Sequence, residues 1–246
     1  MQVKHIGLII RETDVGESDR IVTILTSDNG IVRAFARGSK KIKSKLFSST
    51  RLFTYGEFTL QKGRDKYIVT DAVRKNGFFA RIDDIKKLVL VQYVCEVCSL
   101  CIPQEEPDNK GEALRLVLNT LYAVEKTDKP LYVIKPAFEL RLLSLLGYCP
   151  EVSSCAECGD DEREMTFYFE EGISLCDECR LGSSASAKLD KTTLSAMRYV
   201  LSCELEKVFS FTVPESVGER LSAVAEKYAV TQLERDFRTL DFYRSI

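Results

Sequence analysis

The chain has 246 residues, a net charge of −2 and 45% hydrophobic residues, a composition typical of a globular protein with one large or two modest domains. Nine cysteines without a secretory signal predict reduced thiols in the cytoplasm rather than a disulfide framework. No stretch approaches the roughly 18 apolar residues of a membrane-spanning helix, so we expect no membrane association.

The first part of the chain predicts short β-strands. Ile6, Leu8 and Ile10 alternate with positions that include His5, Gly7 and Arg11, as in a half-buried strand. Segments rich in β-branched residues follow, separated by polar turns. Five short strands predict a small barrel of the OB type, and a five-stranded SH3-like barrel is the competing architecture. The predicted strands are Val3–Thr13, Arg20–Thr26, the segment after Asn29-Gly30, Phe53–Gln61 and Tyr67–Val73.

Helical patterns follow Phe79, so the predicted fold class is α+β multidomain. The composition of Leu181–Lys188 is that of a linker. The predicted helices are Ile82–Cys101, a segment capped by Asp108 or Asn109 and ending near Lys126, Leu131–Leu146 with Pro136 inside it, a segment from Asp190 or Thr192 to Leu201, and one with Pro214 in its first turn.

Four segments follow from these patterns. We expect an OB-fold nucleic-acid-binding domain at 1–79 and the first part of a helical domain at 80–148. A zinc-binding module at 149–182 and the C-terminal part of the helical domain at 183–246 complete the chain.

A basic segment begins at the Asn29-Gly30 turn. Alternation places Arg33, Phe35 and Arg37 on one face of a strand, and the window from Ile31 to Gly56 has seven lysines or arginines and no acidic residue. Phosphates would take the charge and bases would stack on the ring, as in single-stranded nucleic-acid binding. The alternative is a solvated strand with a lysine-rich loop. The basic residues after the strand are Lys40, Lys41, Lys43, Lys45 and Arg51.

Two Cys-x-x-Cys pairs, separated by 17 residues, predict one structural zinc ion. A closed site of four thiolates leaves no position for a reactive water. A redox dithiol is the weaker reading, and Cys149 is near enough in sequence to compete as a ligand. The predicted ligands are Cys155, Cys158, Cys176 and Cys179; three further cysteines, Cys95, Cys98 and Cys101, fit the apolar side of a helix.

Catalytic patterns are weak in this sequence. The single histidine, His5, lies in the first predicted strand, where we expect an edge or surface position. A hydrolytic triad therefore has no second histidine to draw on, and no glycine-rich phosphate loop points to ATP use. We expect a protein that is not an enzyme.

Two strings carry a family resemblance. GESDRIVTILTSDNGIVRAFARGSKKIKSKL, from Gly16 to Leu46, closely resembles the N-terminal signature of the RecO family of bacterial recombination mediators. FELRLLSLLGYCPEVSSCAECG, from Phe138 to Gly159, resembles the second signature of that family, in which a helix runs into the zinc knuckle. The resemblance extends to about Gly182 and is weak beyond it.

The resemblance implies a DNA repair and recombination mediator in the bacterial cytoplasm, associated with the nucleoid. Such proteins bind single- and double-stranded DNA and anneal complementary strands. They bind the acidic, hydrophobic C-terminal tail of single-stranded DNA-binding protein, and with RecR they help RecA, an indirect partner, to load. None of these steps requires bond chemistry or ATP hydrolysis.

These expectations assign residues to two surfaces. DNA is expected on Arg33, Phe35, Arg37 and the four lysines of the basic segment, with Arg51 a weaker candidate. A partner tail needs an apolar pocket rimmed by cations, for which the third helix offers Lys135 and Arg141. The alternative functions are an RNA-binding or transcription-associated OB and zinc-ribbon protein, a zinc enzyme, and a scaffold that binds only proteins.

Overall fold

A computed structural model describes residues 2–63, 66–79, 83–105, 111–180, 182 and 185–246. Five strands open the chain: β1 Gln2–Val15, β2 Asp19–Thr26, β3 Ile31–Ala36, β4 Thr54–Lys62 and β5 Tyr67–Gly77. Contacts between Cα atoms divide the chain into two compact units, residues 1–125 with 237–246 and residues 126–236. Within the described ranges, no helix combines the length and the apolar character that crossing a bilayer requires.

The five strands form a closed barrel in the order β1-β2-β3-β5-β4. All pairs are antiparallel except β3 with β5, which run parallel where Ala34 pairs with Tyr67. This order and the single parallel pair confirm the OB-type barrel over the SH3-like alternative. The barrel core contains Ile9, Val22, Ile24, Val32, Ala34, Phe58, Leu60 and Val69.

A glycine permits the close approach of β4 and β5. A Cβ on Gly56 would lie 2.3 Å from the carbonyl oxygen of Val73, a separation that real side chains do not show. The register of the pair shifts beside this residue, between Tyr55 and Gly56. The β4–β5 pair therefore depends on a residue without a side chain at this point.

The first unit also contains three helices within its described residues: α1 Ile85–Cys101, α2 Glu112–Lys126, whose last residue falls in the second unit, and α6 Arg238–Ser245. Helix α1 packs against β1 and β2, and α6 packs against α1. The rings of Tyr93 and Phe237 meet edge to face, with centroids 5.8 Å apart. Asp84 caps α1 by accepting hydrogen bonds from the N–H groups of Lys86 and Lys87.

The second unit contains α3 Leu131–Leu145, α4 Lys191–Ser202 and α5 Glu215–Leu233. Its small sheet consists of β6 Met165–Tyr168, β7 Ile173–Cys176 and β8 Ser186–Leu189, in the order β7-β6-β8. Asp190 caps α4 as predicted, since its carboxylate accepts from the N–H groups of Thr192 and Thr193. Pro136 lies inside α3, as the sequence indicated.

Several sequence expectations need correction. The end of the predicted linker forms β8, because Ser186–Leu189 pairs with β6 and completes the small sheet. Pro214 precedes the first turn of α5 rather than lying in it. The C-terminal residues form α6, which the periodicity did not predict. The expected caps Asp108 and Asn109 lie outside the described residues.

Candidate nucleic-acid interface and metal centre

The outer face of β3 carries the predicted cations and ring. Arg33 is exposed and Phe35 is half-buried, while Val32, Ala34 and Ala36 are buried inside the barrel. The strict alternation of the strand places the two groups on opposite sides of the sheet. Arg37 is also exposed, and it follows the strand as the first residue of the connection to β4.

Two aliphatic residues that sequence reasoning missed flank the ring of Phe35. In the register of the barrel, Phe35 pairs with Ile21 of β2 on one side and Ile68 of β5 on the other. Ile21 is 38% exposed, and Ile68 is half-buried. These three side chains therefore form an apolar strip on the outside of the barrel, on the side where OB folds in general bind oligonucleotides through strands 2 and 3.

A cation from the β4–β5 connection reaches the same strip. The Nζ atom of Lys66 lies 5.3 Å from the centroid of the Phe35 ring, within cation–π range. The β4–β5 loop is one of the loops that OB barrels use for oligonucleotides. Lys66 therefore extends the predicted basic set, and only the barrel pairing could have identified it.

The connection from Arg37 to Phe53, here named the basic loop, is fixed to the start of β2. The carboxylate of Asp19 accepts a hydrogen bond of 2.7 Å from the N–H of Gly38. This bond holds the pKa of Asp19 below its usual value of 3.8, although desolvation opposes the shift. Arg20, which is buried, donates to the carbonyl oxygen of Ser39 at 3.1 Å. Asp19 and Arg20 therefore anchor the loop.

Lys40 differs from the other lysines of the basic loop because its charge is already paired. Its Nζ atom lies 2.8 Å from the carboxylate of Asp14, and its backbone N–H donates to the carbonyl oxygen of Ser18. The bond from Lys40 lowers the pKa of Asp14, against a smaller desolvation effect. We therefore regard Lys40 mainly as a link between the basic loop and the β1–β2 turn.

The middle of the basic loop packs down onto the barrel. Leu46 belongs to the barrel core, and the guanidinium carbon of Arg20 lies 6.0 Å from the centroid of the Phe47 ring. The hydroxyl of Thr50, which is buried, donates to the carbonyl oxygen of Leu46 at 2.6 Å. The loop is therefore folded on its inner side, which fixes where its outer side chains emerge.

The remaining predicted cations of the basic loop face solvent. Lys41, Lys43 and Lys45 are exposed. Arg51 is also exposed, and its Nε atom lies 3.9 Å from the carboxylate of Glu12, a residue that accepts from the N–H of Leu52 as well. Arg51 thus has a nearby carboxylate in Glu12, and Lys41 lies close enough to Asp19 to help lower the pKa of that carboxyl.

The four predicted zinc ligands converge. Their Sγ atoms all lie within 4.8 Å of one another, and the pair Cys158 and Cys176 is separated by 3.7 Å. A tetrahedron with Zn–S bonds of about 2.3 Å has edges of about 3.8 Å, so the spacing suits four-coordinate binding of one metal ion. Cys149, which was considered as a competing ligand, is not part of this cluster.

Backbone N–H groups favour a thiolate at Cys155, one of the two buried cysteines of the cluster. Burial raises the pKa of Cys155, but N–H groups of Cys158, Cys176 and Glu157 point at its sulfur and bring the pKa down to about 6. A thiolate is the form that binds metal. The donor set and the backbone around it therefore suit a soft divalent cation.

The cysteine module is joined to helices of the second unit by side chains from α4 and α5. Arg198 donates to the carbonyl oxygen of Val152 at 2.6 Å, and Gln232 donates to that of Phe169 at 2.8 Å. The rings of Phe167 and Tyr228 meet edge to face at 5.1 Å. These contacts fasten the module to α4 and α5.

The structure corrects the proposed rim of a partner-tail pocket. Lys135 has a 1% exposed side chain, and its Nζ atom lies 2.8 Å from Glu139 and 2.7 Å from Glu226. Arg141 is half-buried and donates to the carbonyl oxygen of Leu201 at 2.6 Å, at the end of α4. Lys135 is thus enclosed, and Arg141 serves the helix terminus, so these two residues do not make a surface rim.

His5 is another correction. The sequence predicted a surface or edge position, but the residue is 8% exposed and its Nδ1 atom lies 2.9 Å from the carboxylate of Asp28. The histidine therefore joins the first strand to the β2–β3 turn. Among the described residues, its side-chain partner is Asp28 and not a residue of the basic loop.

Comparisons with known proteins cover nearly the whole chain. The family model described as Recombination protein O N terminal matches residues 1–78, and the one described as Recombination protein O C terminal matches residues 82–241. A DNA repair protein RecO of Acetivibrio thermocellus is 34% identical over 246 residues, which is 99% of this chain and 97% of the relative. The DNA repair protein RecO of Alkaliphilus metalliredigens is 29% identical, and the match covers 100% of both chains. That of Caldanaerobacter subterraneus subsp. tengcongensis is 28% identical, and the match covers 98% of this chain and 96% of the relative.

Proposed function

Because the chain belongs to the RecO family and is a DNA repair protein, we propose that it acts as a recombination mediator. It binds single- and double-stranded DNA, anneals complementary strands and, with RecR, helps to load RecA onto DNA coated by single-stranded DNA-binding protein. It works in the bacterial cytoplasm at the nucleoid and carries out no bond chemistry of its own.

One observation carries the DNA-binding part of this proposal. The strip of Ile21, Phe35 and Ile68 lies on the barrel face that OB folds use for oligonucleotides, and Arg33 emerges from the same side of β3. An apolar strip beside cations suits a single strand, whose bases stack on the ring while its phosphates take the charges.

The basic loop supplies the phosphate contacts. Arg37, Lys41, Lys43 and Lys45 are exposed, and the anchors at Asp19 and Arg20 hold the loop beside the barrel. Contacts of this kind do not depend on base sequence and weaken as salt rises. They also lower the repulsion between two strands that bind together, which is how a protein without ATP hydrolysis favours annealing.

Zinc is the metal that we propose for the cysteine cluster. Four thiolates at tetrahedral spacing are a soft donor set and fill the coordination sphere, so the ion has no open position for substrate. Cys155, Cys158, Cys176 and Cys179 would hold it. Its role is then to order the module that Arg198 and Gln232 join to α4 and α5.

The same proposal divides the chain by role. The segment 1–79 is the DNA-binding domain, 149–182 is the zinc module, and 80–148 with 183–246 is the helical domain. We expect RecR and the tail of single-stranded DNA-binding protein to bind outside the strip and the basic loop. The tail site excludes Lys135, since that side chain is enclosed.

The test is annealing of complementary oligonucleotides without ATP, run across a salt series. The variant R37Q/K41Q/K43Q removes three exposed charges from the basic loop and keeps Lys40, which holds the loop to Asp14. The matched control K191Q/K227Q/R235Q removes three exposed charges from the second unit. The salt slope is the change in the logarithm of the binding constant with the logarithm of salt concentration. If each of the three charges neutralises one phosphate, the magnitude of this slope for single-stranded DNA should fall by about 2 in the loop variant.

The outcomes separate the alternatives. Annealing that falls with salt, collapses in the loop variant and survives in the control supports both the function and the site. If annealing falls equally in the loop variant and in the control, the effect comes from the total charge of the protein, and the basic loop is not the DNA-binding site. Tighter binding of a matched RNA than of DNA would favour the RNA-binding alternative. If the protein binds neither, the remaining alternative is a scaffold that binds only proteins.

A further inference from the structure

The basic loop carries one aliphatic side chain that is almost fully in solvent. Ile42 is 85% exposed, more than any other large hydrophobic residue within the described ranges. Leu46, four residues later in the same loop, is buried in the barrel core. The loop therefore buries one aliphatic side chain and presents the other outward.

A tight turn fixes the position of Ile42. The N–H of Ser44 donates to the carbonyl oxygen of Lys41 at 2.8 Å, which closes a four-residue turn with Ile42 and Lys43 at its two central positions. The N–H of Lys41 in turn donates to the carbonyl oxygen of Gly38, the residue that Asp19 holds. A chain of hydrogen bonds thus leads from the barrel to the tip.

The surroundings of Ile42 indicate what it meets. Lys41 and Lys43 are its neighbours in the chain and Lys45 follows, in a stretch without acidic residues up to Gly56. Asp19 is the carboxylate that acts on Lys41, and it is already hydrogen-bonded to the N–H of Gly38. A protein partner with an apolar pocket would need to be strongly acidic around it. A nucleic acid offers both requirements at once, since phosphates surround a stack of apolar base faces.

We propose that Ile42 is a wedge that inserts between neighbouring bases, while Lys41 and Lys43 bind the flanking phosphates. Inserted apolar side chains of this size partly unstack base steps in several DNA-bending proteins. The wedge rests on the proposed DNA-binding function and adds an activity to it. The protein separates bases at the tip of the basic loop, in addition to holding the strand on the strip.

The experiment uses the full-length protein and DNA that contains 2-aminopurine, whose fluorescence rises when it is unstacked. The probe is placed at successive positions of a single strand and of a duplex with a single-stranded overhang. The variant I42S removes the apolar side chain and keeps every charge, and the control I42L keeps the apolar character. Binding is measured by anisotropy with the same oligonucleotides, so that fluorescence is compared at saturation.

We expect the wild type and I42L to raise the fluorescence of the probe at a defined position in the DNA. I42S should not raise it, even when anisotropy shows that the DNA is saturated with protein. Equal fluorescence in wild type and I42S overturns the wedge and leaves the proposed function standing. Failure of the wild type to bind DNA overturns both. A third result would also overturn the wedge: I42S loses binding to phosphatidylserine vesicles but still gives the full fluorescence rise on DNA. Ile42 would then contact a membrane.

Because Ile42 is exposed, the substitutions are expected to leave the unfolding temperature unchanged, which a thermal scan of each variant checks. A lowered unfolding temperature in I42S alone would mean that the side chain packs in the folded protein, and this too overturns the wedge.

Discussion

The carboxylate of Asp19 accepts the N–H of Gly38 across 2.7 Å and thereby ties the start of β2 to the basic loop. Gly38 has a φ of +62°, a conformation that glycine adopts without strain, so the chain can turn sharply where the hydrogen bond holds it. The residue before this turn is Arg37, and the lysines follow it. An acidic residue thus sets the position of a cationic surface.

Replacing Asp19 by alanine should loosen the basic loop. The variant D19A loses the acceptor for Gly38, and trypsin should then cleave faster after the lysines of the loop. The control E17A makes the same change of charge at an exposed position nearby. We expect weaker DNA binding by D19A than by E17A, although both variants are more positive than the wild type. Equal cleavage of the two would show that the hydrogen bond does not restrain the loop.

The pKa of Asp19 fixes the pH range of this effect. Because the folded-state pKa lies below 3.8, the stability that the carboxylate contributes is complete above the unfolded pKa and is lost as pH falls through the folded pKa. The difference in urea midpoint between the wild type and D19A should be constant from about pH 5 to about pH 8 and should shrink below about pH 4. A difference that changes between pH 6 and 8 would assign the effect to another group.

Phe35 should contribute to single-strand affinity through its ring. Stacking on an aromatic side chain is worth about 1–3 kcal/mol per base, so F35A should weaken single-strand binding by about fivefold to about a hundredfold. F35Y keeps the ring and should bind as the wild type does. Fluorescence anisotropy with a poly-dT oligonucleotide measures both. Equal affinity of F35A and F35Y, with both folded, would remove base stacking from the mechanism.

Metal content should depend on the cysteine cluster and not on Cys149. We expect elemental analysis to find one zinc per chain in the wild type and in C149S, and little in C176S, since Cys176 is a buried member of the cluster. Chelation of the wild type should expose residues 149–180 to proteolysis, because the ligands hold that module together. Zinc retained by C176S at the wild-type level would argue against a four-thiolate site.

The buried lysine of α3 should be essential for stability. Lys135 lies between Glu139 and Glu226, and K135A leaves these carboxylates without their cation. Removing one partner of a buried ion pair costs about 3–5 kcal/mol of unfolding free energy. The control K227A changes an exposed lysine on α5 and should stay within about 0.5 kcal/mol of the wild type. Chemical denaturation measures both variants, and similar midpoints would contradict the buried role.

The convergence of the four cysteines could be predicted because their chemistry is local. Two Cys-x-x-Cys turns bring sulfurs together in pairs, and 17 intervening residues allow the pairs to meet. The alternation of Arg33 and Phe35 was predictable for the same reason, since a strand fixes the facing of its own residues. The OB-type barrel followed from the number and length of the strands, and its strand order confirmed it.

Lys135 and His5 could not be placed from the sequence, because burial depends on what packs against a residue from distant parts of the chain. Glu226, which pairs with Lys135, lies in α5, and Asp28, which pairs with His5, lies in the β2–β3 turn. A lysine beside an apolar helix face, such as Lys135, gives the same sequence pattern whether its side chain is buried or exposed.

By itself the sequence determined which residues could carry charge, ring and thiolate, because these are properties of side chains and of their local spacing. Only the tertiary structure decided which of them act together. Barrel closure brought Ile21 and Ile68 to Phe35, and long-range hydrogen bonds from Asp19 and Arg20 set the basic loop. The physical reason is that pairing between strands and burial in a core are set by the whole folded chain, whereas alternation and turn chemistry need only a few neighbouring residues.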